Sequence, residues 1–118
     1  MASKNDVSSI GTFLETRAKL GDPIFYNDLA KHFELPPVTA AWNMHPLCEI
    51  FDSLDYQDQA GGRPFRTALV ISREKSIPGE GFFKTLSSLR GTPYPIRNAA
   101  QKFRLWKEEF DRLASYYR

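Results

Sequence analysis

Four carboxylates follow one another at intervals of three residues, a spacing that could supply a divalent-metal site or a catalytic acid and base. They are Glu49, Asp52, Asp55 and Asp58. Catalytic carboxylates need burial or a neighbouring charge that shifts their pKa, whereas a regular series of this kind is typical of a solvated helix face. We therefore predict an acidic, solvent-exposed surface, with no metal site and no cofactor.

The chain offers few residues suited to nucleophilic catalysis. Cys48 is its single cysteine, which excludes an internal disulfide and any cysteine-rich zinc site. A helix start can activate a thiol, but a lone helical cysteine is usually a small core residue. His32 and His45 have no serine or cysteine in an arrangement that indicates a proton relay. We predict that the protein is not an enzyme.

A glycine-rich stretch, PGEG at residues 78–81, could bring backbone N–H groups close to a phosphate. Nucleotide-binding motifs require GxGxxG, or GxxxxGK followed by Ser or Thr, between a strand and a helix. Here Glu80 places a carboxylate where the phosphate would lie, and Phe82 and Phe83 follow. The stretch is therefore predicted to form the turn of a β-hairpin, with one of the phenylalanines in the core.

Charge is distributed unevenly along the 118 residues, although the net charge is only +2. Residues 1–59 contain four Lys or Arg against nine Asp or Glu, and residues 60–118 contain twelve against five. A basic second half favours a polyanionic partner. No stretch has the length and composition of a signal peptide or a membrane span, so we expect a cytoplasmic protein without membrane contact.

The length and the hydrophobic pattern predict one domain over residues 1–118. Apolar residues at helical spacing predict helices over residues 5–19, around Leu29 and Ala30, and over residues 46–60. The apolar run Thr67–Ile71 predicts a buried strand. Residues 92–97 form a proline-rich connector to a last helix over residues 98–117, which Asn98 is expected to cap.

The last helix carries an apolar seam at alternating steps of four and three residues. Its members are Phe103, Trp106, Phe110, Leu113 and Tyr117. Such a stripe must be covered by the same chain or by a second copy. Because the seam is shorter than about three heptads, we expect a monomer in which the helix docks on its own chain, with Trp106 as the central anchor. A dimer through this helix is the alternative.

The segment GDPIFYNDLAKHF resembles the start of the winged-helix domain of alkylguanine DNA alkyltransferases and their non-catalytic relatives. The matching positions are Gly21, Tyr26, Leu29 and Ala30. The later patterns Pro64, Thr67–Val70 and PGEGF at residues 78–82 are similar to a group of small uncharacterised bacterial and mobile-element proteins. The alkyltransferase nucleophile motif, Pro-Cys-His-Arg, has no counterpart in Thr67–Ser72, so the resemblance does not imply alkyl transfer.

The resemblance implies an α+β, mainly helical fold: a winged helix-turn-helix core over residues 5–91 with a small β-hairpin, extended by the C-terminal amphipathic helix. It implies a recognition segment near Thr39–Asn43 and a basic wing. The predicted DNA-binding residues are Thr39, Asn43, Arg63, Arg66, Arg73, Lys75 and Lys84. We therefore expect non-catalytic binding to duplex DNA. The alternative is a protein-interaction module or inhibitor from a phage or mobile element, acting through the acidic helix face or the aromatic C-terminal helix.

Overall fold

Five α-helices and two short strands make up the part of the chain that the computed structural model describes, residues 7–38 and 42–118. The helices are α1 (Val7–Leu20), α2 (Tyr26–His32), α3 (Pro46–Ala60), α4 (Glu80–Arg90) and α5 (Ala99–Tyr117). The strands are β1 (Ile24–Phe25) and β2 (Val70–Ile71), and two 3-10 turns cover Trp42–Met44 and Arg66–Leu69. The prediction of a mainly helical α+β chain is confirmed.

The two longest helices begin at capping residues. His45 caps α3, because its Nδ1 accepts a hydrogen bond from the Leu47 N–H at 3.1 Å, and Pro46 occupies the first helical position. Asn98 caps α5 by accepting from the Gln101 N–H at 3.0 Å. The helices predicted over residues 46–60 and 98–117 are therefore confirmed. The first helix is also confirmed from Val7, and residues 5 and 6 of that prediction lie outside the described residues.

The sheet differs from the predicted hairpin, because its two strands are parallel. Ile24 pairs with Val70 and Phe25 pairs with Ile71. Only the end of the run Thr67–Ile71 is a strand, since its first residues belong to a 3-10 turn. Parallel strands cannot be joined by a tight turn, and β2 accordingly pairs with a strand far earlier in the chain.

The PGEG stretch begins a helix instead of turning a hairpin. Gly79 precedes the first residue of α4, and both Phe82 and Phe83 lie buried on that helix. Between β2 and α4 the chain makes a short loop, in which the Ser72 N–H donates to the Ile77 carbonyl at 2.8 Å. The prediction of a hairpin wing at this place is therefore wrong. The aromatic pair packs into the core from a helix, as the spacing of Phe82, Phe83 and Leu86 allows.

The core lies where α1 and α3 cross the Arg66–Leu69 turn. Ile10, Leu14 and Leu54 are fully buried there. Gly11 is required at this crossing, since a Cβ atom on it would come within 2.6 Å of the Arg66 guanidinium. The Arg66–Leu69 turn is thereby packed between α1 and α3.

Helix α5 docks on the same chain, as predicted, by packing against α1 and the Arg66–Leu69 turn. Trp106 and Leu113 are buried, and the Trp106 indole N–H donates to the Ala68 carbonyl at 2.8 Å. Trp106 is thus the anchor that the seam predicts. Phe103 stays 50% exposed, so the seam is only partly covered by the described chain.

Candidate functional site

A concave pocket with a cavity of about 600 Å³ opens between α2, α3 and the start of α4. Aromatic side chains form part of its walls, and we call it the aromatic pocket. The aromatic residues that line it are Tyr26, Trp42, Phe51, Phe82 and Tyr94. The volume lies within the range of about 300–1,000 Å³ that small-molecule sites usually have.

Contacts between these aromatic rings and a backbone hydrogen bond fix one wall. The Trp42 ring lies edge-on to Tyr26 at 5.5 Å between ring centroids, and it lies at the same distance from Phe51. The Tyr26 hydroxyl accepts a hydrogen bond from the Gly79 N–H at 2.9 Å, which ties the start of α2 to the start of α4. Burial raises the pKa of Tyr26 above its usual value near 10, so its hydroxyl is neutral at physiological pH.

Asp55 is the buried polar group of the pocket, with 3% of its surface exposed. Its Oδ1 accepts a hydrogen bond from the Thr67 hydroxyl at 2.7 Å, and Oδ2 has no hydrogen bond within the described residues. The pKa of Asp55 is raised to about 7, mainly by burial; the charges of Asp58, Asp52 and Glu109 also raise it, whereas the Thr67 hydrogen bond lowers it. Such a perturbed carboxyl group in a cleft is a candidate for a functional site.

Three further charged side chains line the aromatic pocket, two of them acidic. Asp52 and Lys84 are exposed, on α3 and α4. Glu80 binds Lys102 and accepts from the Tyr94 hydroxyl at 3.2 Å. The hydrogen bond from Lys102 is the largest cause of a lowered pKa at Glu80, so this carboxylate is ionised and already paired.

Cys48 also lines the pocket, but its thiol is not activated. Burial raises the pKa of Cys48, and the nearby carboxylates of Asp52 and Glu49 raise it further. A thiolate, not a thiol, is the nucleophile. The environment therefore opposes any activation by the start of α3.

The acidic series of α3 does not form one solvated face, and that prediction is wrong for two of its members. Glu49 and Asp52 are exposed, whereas Asp55 and Asp58 are buried. At about 100° per residue, each step of three positions turns the series by about 60° around the helix. Three steps therefore carry it from the solvent side to the core side.

Asp58 binds two basic residues at the start of the predicted wing, both of which are predicted from the sequence to contact DNA. It is fully buried, and its carboxylate accepts from the Arg66 backbone N–H at 2.9 Å and from Arg66 Nε at 3.1 Å. Arg63 Nε lies 3.2 Å from Asp58 Oδ1, and Arg66 Nη1 lies 2.8 Å from Glu15 Oε2. Arg66 is 5% exposed. The assignment of Arg66 to DNA contact is corrected, because its guanidinium is buried and bound within the core. Arg63 is bound to the carboxylate of Asp58 as well.

The other predicted DNA-binding residues have different positions. Arg73 is exposed, lies over the Phe25 ring at 4.2 Å and pairs with Asp28 at 3.4 Å. Lys75 and Lys84 are exposed, as is Asn43 in the Trp42–Met44 turn. Thr39 lies outside the described residues. The structure thus brings Lys84 and the turn that contains Asn43 to the rim of one pocket.

Sequence reasoning missed Asp55 and Trp42 as site residues. A signal for Asp55 is present, because Asp55 follows Phe51 by four positions and Leu54 by one, which places it at the edge of the apolar stripe of α3. Trp42 has no comparable signal, since it lies in an irregular stretch between two prolines. Its place in the pocket depends on contacts with α2 and α3.

Comparison of the chain with protein families, curated proteins and solved structures finds no match. Among residues 7–38 and 42–118, no group of three or more His, Cys, Asp or Glu side chains is arranged to hold a metal ion. Nor does any helix of that part of the chain have the length and apolar character needed to cross a membrane.

Proposed function

We propose that the protein is a non-catalytic binding protein whose functional site is the aromatic pocket, where it holds the flat part of a ligand. The observation that carries the proposal is a buried, half-satisfied carboxyl group, Asp55, in a cavity with aromatic walls. Apolar walls with a small number of placed polar groups are typical of small-molecule sites. The aromatic side chains contribute area, and Asp55 contributes orientation.

Binding rather than catalysis fits the chemistry of the pocket. Its thiol, Cys48, has a raised pKa, and neither histidine of the chain lines the pocket. His45 is engaged elsewhere, since its Nε2 lies 2.7 Å from the Pro36 carbonyl oxygen and its Nδ1 caps α3. Neither the thiol nor a histidine is therefore paired as nucleophile and base among the described residues that line the pocket.

The two tryptophans of the chain provide a test, because Trp42 lines the pocket and Trp106 is buried against Ala68. We expect flat heteroaromatic fragments to shift the indole N–H resonance of Trp42 in a ¹H–¹⁵N spectrum and to leave that of Trp106 in place. The variant Trp42→Leu should weaken such fragments at least about tenfold. If every fragment that binds moves both resonances or neither, the pocket is not the site.

A second candidate is binding to duplex DNA, on the resemblance to a winged helix-turn-helix. It is supported by three cations that are exposed: Arg73, Lys75 and Lys84. In this proposal α2, the Trp42–Met44 turn and the start of α3 form the helix-turn-helix unit, and the loop before α4 takes the place of the wing. We place it second because Glu49 and Asp52 are exposed on α3, and carboxylates there repel phosphates.

Replacement of the three exposed cations tests the DNA proposal. The variant Arg73→Ala/Lys75→Ala/Lys84→Ala should weaken binding to duplex DNA and lower the slope of log affinity against log salt by up to about three units. The control variant Lys19→Ala/Arg104→Ala/Arg118→Ala removes equal charge from exposed positions outside the pocket. Equal losses in both variants, measured by fluorescence anisotropy, would show that binding follows net charge alone.

For the protein-interaction alternative, the structure leaves less surface exposed for a partner than the sequence pattern predicts. Two members of the acidic series are buried, and Trp106 and Leu113 of the aromatic seam are covered by the chain itself. The exposed remainder consists of Phe103 and Tyr116 on α5, with Glu49 and Asp52 on α3. We do not favour it as the function.

A further inference from the structure

The charge of the aromatic pocket indicates what kind of ligand it takes, an inference that depends on the proposed function. Three carboxyl groups line the cavity, Asp52, Asp55 and Glu80, against one cation, Lys84. Lys102 neutralises Glu80 from outside the lining. Within the described residues, no ion pair neutralises Asp52 or Asp55. Lys84 can offset one of these two, so among the described residues the cavity has one carboxyl group more than it has cations.

The aromatic walls favour a positive charge as well. The faces of aromatic rings carry negative potential, so a cation that lies over Trp or Tyr is attracted to the ring. Trp42 and Tyr26 line the cavity on the same wall, 5.5 Å apart between centroids. A ligand that stacks there and reaches Asp55 satisfies the two preferences together.

Asp55 adds directionality, because its Oδ2 is free to accept a hydrogen bond. Thr67 already satisfies Oδ1, which leaves Oδ2 to accept from the ligand. A planar group with adjacent N–H donors forms the strongest contacts with a carboxylate. An anionic ligand has only Lys84 to bind and would face the carboxylates.

We propose that the aromatic pocket binds a small, flat organic cation, such as an amidine, a guanidine or a protonated amino-heteroaromatic compound, whose N–H groups bind Asp55 and whose ring lies against Trp42 and Tyr26. The ligand supplies the positive charge that the pocket lining lacks, and its ring is held by stacking against the aromatic side chains. This assigns to the protein a binding site for a cationic nitrogen compound.

Three probes of similar shape distinguish the effect of ligand charge on binding from the effect of a flat ring. Benzamidine is a cation, benzamide is neutral and benzoate is an anion. We expect benzamidine to shift the Trp42 indole resonance with a Kd at least about tenfold lower than that of benzamide, and benzoate to bind most weakly. Benzamide binding as tightly as benzamidine, or benzoate binding best, would overturn the cation assignment and leave the pocket as a binding site. If no probe moves Trp42, both this assignment and the proposed function fail.

Variants of α3 test the role of Asp55 directly. Asp55→Asn should lose at least about tenfold in benzamidine affinity and change benzamide affinity less than about twofold. Glu49→Gln removes an exposed carboxylate from the same helix outside the pocket lining and is the matched control. An unchanged Trp106 resonance in each variant shows that the fold is retained. Equal benzamidine affinity in Asp55→Asn and the parent chain would overturn the contact.

The dependence of binding on pH gives a second readout. Groups that face Asp55 are Tyr26 from α2, Asp52 and Asp58 from α3, Thr67 from the 3-10 turn and Glu109 from α5, while Glu80 and Lys84 of α4 line the same cavity. Since the pKa of Asp55 is about 7, benzamidine must displace its proton below that pH. Affinity should rise about fivefold to tenfold between pH 6 and pH 8 in the parent chain and stay flat in Asp55→Asn. A parallel rise in both proteins would overturn the assignment.

Discussion

The variant Asp58→Ala is expected to lose about 3–5 kcal/mol of unfolding free energy at pH 7, the largest loss that we predict for a polar residue of this chain. Asp58 is fully buried and accepts hydrogen bonds from the backbone and side chain of Arg66 and from Arg63. Without it, the Arg66 guanidinium keeps only Glu15 and Gln57 as partners while it stays buried. A buried charge that loses its fully buried ion-pair partner is costly.

Urea unfolding followed by circular dichroism measures this loss, and α3 supplies the control. Asp52→Ala removes an exposed carboxylate two turns earlier on the same helix and should change stability by less than about 0.5 kcal/mol. The double variant Asp58→Ala/Arg66→Met should be more stable than Asp58→Ala, because it also removes the guanidinium that has lost its buried partner. A loss below about 1 kcal/mol in Asp58→Ala would show that the network contributes little to the fold.

The elements that sequence reasoning predicted best are the ones whose signals are local. Helices α3 and α5 have apolar residues at helical spacing and begin at His45-Pro46 and Asn98, which supply capping side chains and a proline at the first turn. Trp106 could be chosen as the anchor because it lies in the middle of the seam of α5. Local periodicity and capping chemistry determine these features, so a single sequence contains them.

The elements that sequence reasoning missed depend on distant contacts. Helix α4 begins in a proline and glycine stretch that favours turns locally, but burial of Phe82, Phe83 and Leu86 selects the helix. The pairing of β1 with β2 joins Ile24 to Val70, which no local pattern encodes.

The candidate site was missed for a related reason. The i, i+3 spacing by itself predicts one face, although the helix turns these carboxylates from solvent toward the core. Asp55 and Asp58 are buried because of that rotation, and each needed a partner elsewhere in the chain. Those partners, Thr67 and Arg66, follow α3 in the 3-10 turn.

The stability of the parent chain is expected to fall by about 2–3 kcal/mol between pH 5 and pH 8 through Asp55 alone. The pKa of Asp55 is raised to about 7 by burial, above its value of 3.8 in the unfolded chain. Between these two values the folded protein binds a proton that the unfolded chain has released. The free energy of unfolding therefore decreases as pH rises, and the decrease ends above the folded-state pKa.

The variant Asp55→Asn isolates this contribution, because the asparagine keeps an acceptor for the Thr67 hydroxyl and cannot ionise. We expect its unfolding free energy to change less with pH than that of the parent chain and to exceed the parent value at pH 8. Glu49→Gln, exposed on the same helix and not among the charges that raise the pKa of Asp55, should instead follow the parent curve. Urea unfolding at pH 5, 6, 7 and 8 compares the three proteins, and the titratable groups that they share affect all of them alike. If the unfolding free energy of Asp55→Asn changes with pH as much as that of the parent chain, the carboxyl group of Asp55 is already ionised in the folded protein. Benzamidine should then bind without displacing a proton.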